Sequence, residues 1–472
     1  MRRLRLSAVV VCLLPLYSQT PVAAIKSRFV ELSAAVRDHK GQNISDLKKT
    51  DFTVFDRGKP QTISVFRSET TARQFAKLAL ASNVYANRLT KRGEVPTAAT
   101  FIVFDGLNTR FRNKTEAAQQ LLAFLREIDF DDRLGIGVLG RKIALLHDFT
   151  DDPEHLLKLL SNARADHPDM SMFTDAMEAV TDPEKVDPVN RTLAALETIA
   201  NHLAGVPGRK NLVWLSDRFP SDLGLSLGAP AAANPAAARA LRAIDASSMA
   251  IYAVVKNPGA IIGLAESSGG HVFPSLRSAV RASIEDGNSA YTLGFFPSSG
   301  DLDGSYHPIT LKVEESGVEV RARKGFIAFK DAPPEGQIEA ATLETVASTL
   351  DSTAIPLFLR VDDSDKPERG SLKLTIQVDP TSITLHPDSR GYTGALEVDI
   401  AQRSANDNSY TSTSETFNLV IPAATLPKVI QDSLLLTVYA APQKGSTELR
   451  LVVLDKPSGT MGSIHLPLVM RK

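Results

Sequence analysis

The sequence predicts an α/β unit with a mostly parallel sheet, one antiparallel edge strand and helices on both faces. It also predicts smaller flanking β modules and a C-terminal β-sandwich-like domain. Three observations carry this expectation. Between residues 98 and 288, apolar runs suited to strands buried on both faces alternate with apolar residues at helical spacing. The alternation stops near Gly287, where short strands punctuated by Gly and Pro take over. The last region, 352–472, is rich in Thr, Ser, Val and Leu, with the period-two pattern of half-buried strands. At 472 residues the chain is too long for one ordinary domain. Its 43% hydrophobic and 23% charged residues exclude a wholly disordered or fibrous protein. Lys and Arg number 53 against 54 Asp and Glu, so the chain lacks the charge excess of a general nucleic-acid binder.

The segments follow in order. Arg2, Arg3 and Arg5 precede an apolar stretch from Leu6 to Leu16, and Val22-Ala23-Ala24 supplies a small-residue exit. This reads as a signal peptide over 1–24, cleaved after Ala24, because the run is too short to span a bilayer and Pro15 interrupts it. Cys12, the single cysteine, lies inside it, so a mature chain would have no disulfide, thiolate metal site or Cys nucleophile. Residues 26–67 read as short strands, Phe29–Val36, Phe52–Phe55 and Thr62–Phe66, with turns at Asp38–Gly41 and Asp56–Pro60. That segment is too small to bury its own core and is expected to pair with 290–328. Residues 70–97 read as a connector.

The α/β unit spans 98–288. Phe101–Phe104 is a continuous apolar strand, and Ala117, Leu121, Phe124, Leu125 and Ile128 recur at helical spacing. Leu134–Leu139 and Ile143–Leu146, joined by Gly140-Arg141-Lys142, form a hairpin. Strands at Leu212–Leu215, Ala250–Val255 and His271–Phe273 are separated by helical patterns at 156–160, 193–203, 235–244 and 261–265. Further strands fall at Tyr291–Phe296, Ile309–Val313 and Val318–Arg323. Residues 331–351 form a linker and helix, and the last region has strands at Leu372–Val378, Leu396–Ile400 and Leu449–Leu454.

In open α/β sheets, ligands gather at the carboxyl ends of the strands. There the sequence offers Asp105-Gly106-Leu107-Asn108-Thr109, Ser216-Asp217 and, on a long loop, Phe173-Thr174-Asp175. Two carboxylates and two hydroxyls on one rim are hard oxygen donors of the kind that Mg²⁺, Mn²⁺ or Ca²⁺ prefers. The competing reading is that Asp105 and Asp217 cap strand-to-helix turns. Other motifs are weak. No His-Glu-x-x-His, Gly-x-Ser-x-Gly or phosphate-binding loop occurs, and His147 and His307 read as ordinary histidines. Arg209-Lys210 reads as a structural basic turn, Trp214 as core, and Gly269-Gly270 as the turn after a helix.

Several stretches together resemble a known family: Val36–Gly41, Asp51–Gln61, Asp105–Thr109, His147–Thr150, Pro207–Asp217, Tyr291–Phe295, Tyr306-His307 and Arg323–Phe326. Over residues 28–328 the chain resembles the secreted bacterial proteins with a von Willebrand factor A-type domain. The resemblance implies a Rossmann-like A-type fold and a metal-ion-dependent adhesion site. Its ligands would be Asp105, Thr109, Thr174 and Asp217. Leu107 stands where the family has its first serine, so the site is degenerate, with Asn108 one residue out of register as a substitute. The expected cofactor is Mg²⁺, with Mn²⁺ or Ca²⁺ as alternatives. The expected function is an exported, non-enzymatic binding or adhesion protein, periplasmic or extracellular. It would have a protein partner, no nucleic acid and no transmembrane segment in the mature chain. The alternative is a structural or scaffolding envelope protein whose A-type fold binds no metal. A metal-dependent hydrolase has little support, because the rim offers no evident general base or nucleophile pairing.

Overall fold

The computed structural model describes residues 29–68, 80–88, 98–109, 134–148, 187–220, 223, 234–257, 259, 261–288, 290–329, 332–363, 371–389, 391–404 and 409–468. The expected signal peptide, the helical patterns at 117–128 and 156–160, and the loop carrying Thr174 lie outside these residues. The chain is a mixed α/β protein, with six helices among the described residues. It divides into two compact units, one containing the described residues of 29–77 and 89–331, the other those of 78–88 and 332–472.

In the first unit, strands β1 (Val30–Arg37), β2 (Phe52–Asp56), β3 (Lys59–Gln61) and β4 (Val65–Ser68) precede an excursion to β5 (Val84–Ala86). Returning, β6 (Ala98–Asp105), β7 (Leu134–Leu139) and β8 (Ile143–His147) are followed by helix α1 (Pro188–Leu203) and strand β9 (Arg209–Arg218). Next come α2 (Pro235–Ser247), β10 (Met249–Asn257), α3 (Ile261–Ser268) and α4 (Leu276–Asn288). The unit ends with β11 (Ala290–Phe295), β12 (Tyr306–Val313), β13 (Glu319–Arg321) and β14 (Gly325–Ile327).

A five-stranded sheet in the order β10-β9-β6-β7-β8 forms the centre. Its first four strands run parallel, and the β7–β8 hairpin supplies one antiparallel edge. Successive strand residues point to opposite faces. On one face Phe101 packs edge-on against His202 of α1, with ring centroids 6.1 Å apart. On the other, Thr100 meets Ser283 of α4, and Ile102, Phe104, Val213 and Tyr252 join Ala279 and Val280 in one apolar cluster. Helices therefore cover both faces of the sheet. Asp187 and Asn234 cap α1 and α2 by accepting two backbone N–H bonds each, and a proline fills the first turn of both helices.

Two small sheets flank this centre, ordered β13-β1-β11-β4 and β14-β12-β2-β3. β1 pairs antiparallel with both β11 and β13, and β2 with β12, so the segments before and after the α/β sheet form one module. Leu32, Val36, Phe52, Val54, Tyr291, Leu293, Phe295 and Phe326 fill its core. The turn after α3 lies close to β10: a Cβ at Gly270 would stand 1.9 Å from the carbonyl oxygen of Ile251.

A buried ionic knot joins the module to the α/β sheet. Asp286, near the end of α4 and 0% exposed, receives Arg37 of β1 at 2.5 Å and the Tyr252 hydroxyl of β10 at 2.6 Å. Arg321 of β13 and Arg209 of β9 approach the same carboxylate at 3.6 and 3.8 Å. Arg209 also donates to the carbonyls of Ser33 and Gly269 and to the Tyr252 hydroxyl. Next to it, Lys210 reaches Glu31 of β1 and the carbonyls of Val206 and Gly208. The basic pair expected in a turn thus opens the buried part of β9.

The second unit begins with helix α5 (Glu335–Ala347), near the position expected for it, and continues through β15 (Leu357–Asp363), β16 (Leu372–Val378), β17 (His386–Asp388), β18 (Gly391–Ser404) and β19 (Tyr410–Ile421). Helix α6 (Leu426–Asp432) and strands β20 (Leu434–Ala440), β21 (Ser446–Asp455) and β22 (Thr460–Pro467) complete it. One sheet is ordered β20-β16-β15-β5; in the other, β18 lies between β19 and β21, β17 pairs with its start, and β22 follows β21. Both contribute to one core containing Leu357, Leu359, Ile376, Leu396, Val398, Leu451 and Val453. The expected connector 70–97 therefore contains an edge strand of this unit, β5. Residues 84–86 pair with Phe358–Arg360, and so short a strand carries no periodicity to reveal it.

Two measurements test this architecture. Asp286→Ala leaves Arg37, Arg209 and Arg321 without their shared buried carboxylate, and denaturant unfolding should show a loss of about 3–5 kcal/mol. In the second unit, burial raises the Asp399 carboxyl to about 6, Glu397 adds to that rise, and Asp399 Oδ2 has no hydrogen-bond partner among the described residues. A folded pKa above the unfolded one means that this group's contribution is intact below pH ~4 and lost as pH rises through about 6. Asp399→Asn should therefore stabilise the protein at neutral pH, by up to about 3 kcal/mol, and have little effect at pH ~4.

Candidate functional site

The rim forms where β6 and β9 end side by side, with Val103 opposite Trp214 and Phe104 opposite Leu215. Asp105, the last residue of β6, is 0% exposed. Its Oδ1 accepts the Asn108 backbone N–H at 2.9 Å, closing the turn that leaves the strand. Its Oδ2 accepts from Asn108 Nδ2 at 2.8 Å and from Trp214 Nε1 at 3.0 Å. Asn108 Nδ2 also donates to Thr192 of α1 at 3.0 Å, which fixes the amide between sheet and helix. The Thr109 hydroxyl donates to the Asp105 carbonyl at 2.6 Å and accepts the Asp217 backbone N–H at 3.2 Å.

Asp105, Asn108, Thr109 and Asp217 thus form one connected network, with Thr109 bridging the two strand ends. The Asp217 carboxylate has a partner of its own. Its Oδ1 pairs with Lys256 of β10 at 2.5 Å, on the exposed side of the rim. Thr174 and Asp175 lie outside the described residues. Among the described residues, no group of three or more His, Cys, Asp or Glu side chains is placed to hold a metal ion.

Burial raises the Asp105 carboxyl to about 6, against the opposing pull of the Asn108 and Trp214 hydrogen bonds, which favour the charged form. A cation at Asp105 would have to share its oxygens with three N–H donors. Among the described residues, Asp105, the first of the expected ligands, is already compensated by protein dipoles.

Trp214, Lys256 and Thr192 were not apparent from the sequence as site residues. Trp214 is core, fully buried and edge-on to Phe219, yet its indole N–H also serves Asp105. The available signal was its register: Trp214 pairs with Val103, two residues before the carboxylate that ends β6. Lys256 follows the apolar part of β10 and carried no signal at all.

His307, expected to be ordinary, lies 1% exposed in β12 between two carboxylates. Its Nδ1 is 2.8 Å from Asp56 and its Nε2 3.3 Å from Asp303. Asp303 also holds Arg57 and the Ser305 hydroxyl. The cluster ties β2 to the loop before β12.

No protein family profile matches the chain, and no curated protein matches its sequence. Among solved structures, a von Willebrand factor type A protein from Catenulispora acidiphila matches with a TM-score of 0.22 and 10% identity, over 96% of this chain and 76% of that one. The pilus adhesin SpaC from Lactobacillus rhamnosus GG matches with a TM-score of 0.23 and 9% identity, over 80% of this chain and 57% of that one. Both are weak resemblances at the level of fold.

The Asp105 network makes a pH-dependent prediction. Because its folded pKa lies above the unfolded value, its contribution to stability is full below pH ~4 and lost as pH rises through about 6. Trp214→Phe removes a donor to the charged form and should push that loss to higher pH. The same change should lower stability at neutral pH by about 1–3 kcal/mol, read from denaturation at several pH values.

Proposed function

We propose that the chain is an exported, non-enzymatic binding protein that recognises a protein partner at the rim around Asp105 without a divalent cation. In this reading the first unit is a Rossmann-like A-type domain and the second a β-sandwich-like module. Export would use the first 24 residues and end in the periplasm or outside the cell. The supporting observation is the occupancy of Asp105, whose two carboxylate oxygens accept three N–H bonds from Asn108 and Trp214. An amide and an indole supply the positive dipoles that a metal ion would otherwise supply, and Asp217 is neutralised by Lys256. What remains for a partner is the outer part of the rim: half-buried Leu107, Asn108 and Thr109, and the Asp217–Lys256 pair. This is the end of an open sheet at which ligands gather. No helix among the described residues is long and apolar enough to cross a membrane.

The metal-dependent version of this reading differs in one measurable respect. Ligand binding to the folded state raises the melting temperature by mass action. Titration with Mg²⁺ or terbium to millimolar concentration should leave the melting temperature unchanged. Recovery of a partner from the native envelope fraction should be equal with and without chelator, and Lys256→Glu should reduce it. A saturable rise in melting temperature that Asp105→Ala abolishes would replace this reading with the cation-bridged one.

A further inference from the structure

We propose that the rim at the carboxyl end of the central sheet takes an acidic, extended segment of its protein partner, held by exposed basic side chains on both sides of the Asp105 turn. This rests on the reading of that rim as the binding surface and adds the chemistry of what it binds.

Parallel strands deliver their carboxyl ends to one edge, and the register here brings four of them level. Leu139 of β7 stands opposite Asp105 of β6, Phe104 of β6 opposite Leu215 of β9, and Ser216 of β9 opposite Val255 of β10. Just past that row lie Arg141 and Lys142 in the β7–β8 turn, Arg218 at the end of β9 and Lys256 in β10, all exposed. The acids on these strand ends are already engaged. Asp105 is 0% exposed with both oxygens bonded, and Asp217 is paired with Lys256. Asp187, at the start of α1, caps that helix. Neither Arg141 nor Arg218 has an ion pair among the described residues. The whole chain is balanced at a net charge of −1, so the positive excess on these strand ends is local.

The result is an uncharged centre flanked by cations. Half-buried Leu107, Asn108 and Thr109 form the centre, with Arg141 on the β7 side and Arg218 and Lys256 on the β9 and β10 side. Three strand spacings separate β7 from β10, about 14 Å, the distance an extended segment covers in about four residues. A segment lying across the strand ends therefore brings two carboxylates from one of its faces to the two basic sides. Charge complementarity of this kind steers encounter and makes it sensitive to salt. The chain has no wider positive field to hold a nucleic-acid backbone, so a peptide segment is the favoured anion.

The probe is dye-labelled hexaglutamate, titrated with the full chain at low salt in the presence of chelator. Fluorescence anisotropy should show saturable binding that weakens as salt rises. Arg141→Glu and Arg218→Glu should each weaken it by about fivefold or more, and Asp217→Asn, which releases Lys256, should tighten it. Arg67→Glu, the same charge change at an exposed residue of β4, should leave it unchanged. Equal weakening by Arg67→Glu, indifference to Arg141→Glu and Arg218→Glu, or equal affinity for an oligothymidylate of matched charge would overturn the proposal. Absence of hexaglutamate binding would overturn it too. If Lys256→Glu still reduced recovery of the envelope partner in that case, the rim would stand as the binding surface and only its acidic occupant would fall.

Discussion

Asp286 is the constraint on which the first unit depends. It is a fully buried carboxylate on the helix that covers one face of the central sheet, and the groups that satisfy it come from β1, β9, β10 and β13. Such a charge is tolerable in an apolar interior only if opposite charges and hydrogen bonds surround it. Here that requirement cannot be met by one element. It is met only when the flanking β module is docked against the α/β sheet, because Arg37 and Arg321 belong to the module while Arg209 and Tyr252 belong to the sheet. The cluster therefore penalises partial docking more than an apolar contact of the same size would. Lys210 with Glu31, and Arg323 with Asp245, repeat the arrangement along the same boundary.

The strand core was readable because burial on both faces leaves a run of apolar residues with no polar interruption. Phe101–Phe104, Leu134–Leu139 and Ala250–Val255 have that signature, and each lies within a strand of the central sheet. β9 is read from Leu212 but begins at Arg209, since its first three residues are polar. They are buried because their partners lie far along the chain, such as Glu31 for Lys210, and no local pattern encodes that pairing. Helix α4 was missed for a related reason. Its buried face has only Leu276 and Val280 as large apolar residues; Ala279, Ala282, Ser283, Asp286 and Gly287 make up the rest, so the apolar period is weak. In the second unit, β19 hides in the sequence because its first half buries neither face.

The rim was legible in its members but not in their bonding. Strand ends named Asp105, Thr109 and Asp217, and the turn brought in Asn108. What the residue types could not reveal is direction. Asn108 presents its amide nitrogen to Asp105 rather than its carbonyl oxygen outward, and Asp217 looks toward Lys256. Leu107 offers the rim no side-chain ligand atom; an adjacent asparagine that donates to the aspartate changes what the aspartate needs. The second of these follows from geometry alone.

The excursion to β5 also governs how the protein can be divided. Asn87, just past that strand and 3% exposed, donates to the carbonyls of Ser352 and Ile355 and accepts the Leu357 backbone N–H. Those bonds span 265 to 270 residues of chain. A fragment beginning at residue 332 would lack both an edge strand and the buried amide that organises the entry to β15. On a ribosome, the segment that starts the second unit emerges early and must wait, unpaired, while almost the whole first unit is made. The protein thus has two cores but no cut point that yields two intact halves, and its sequence order is not its order of completion.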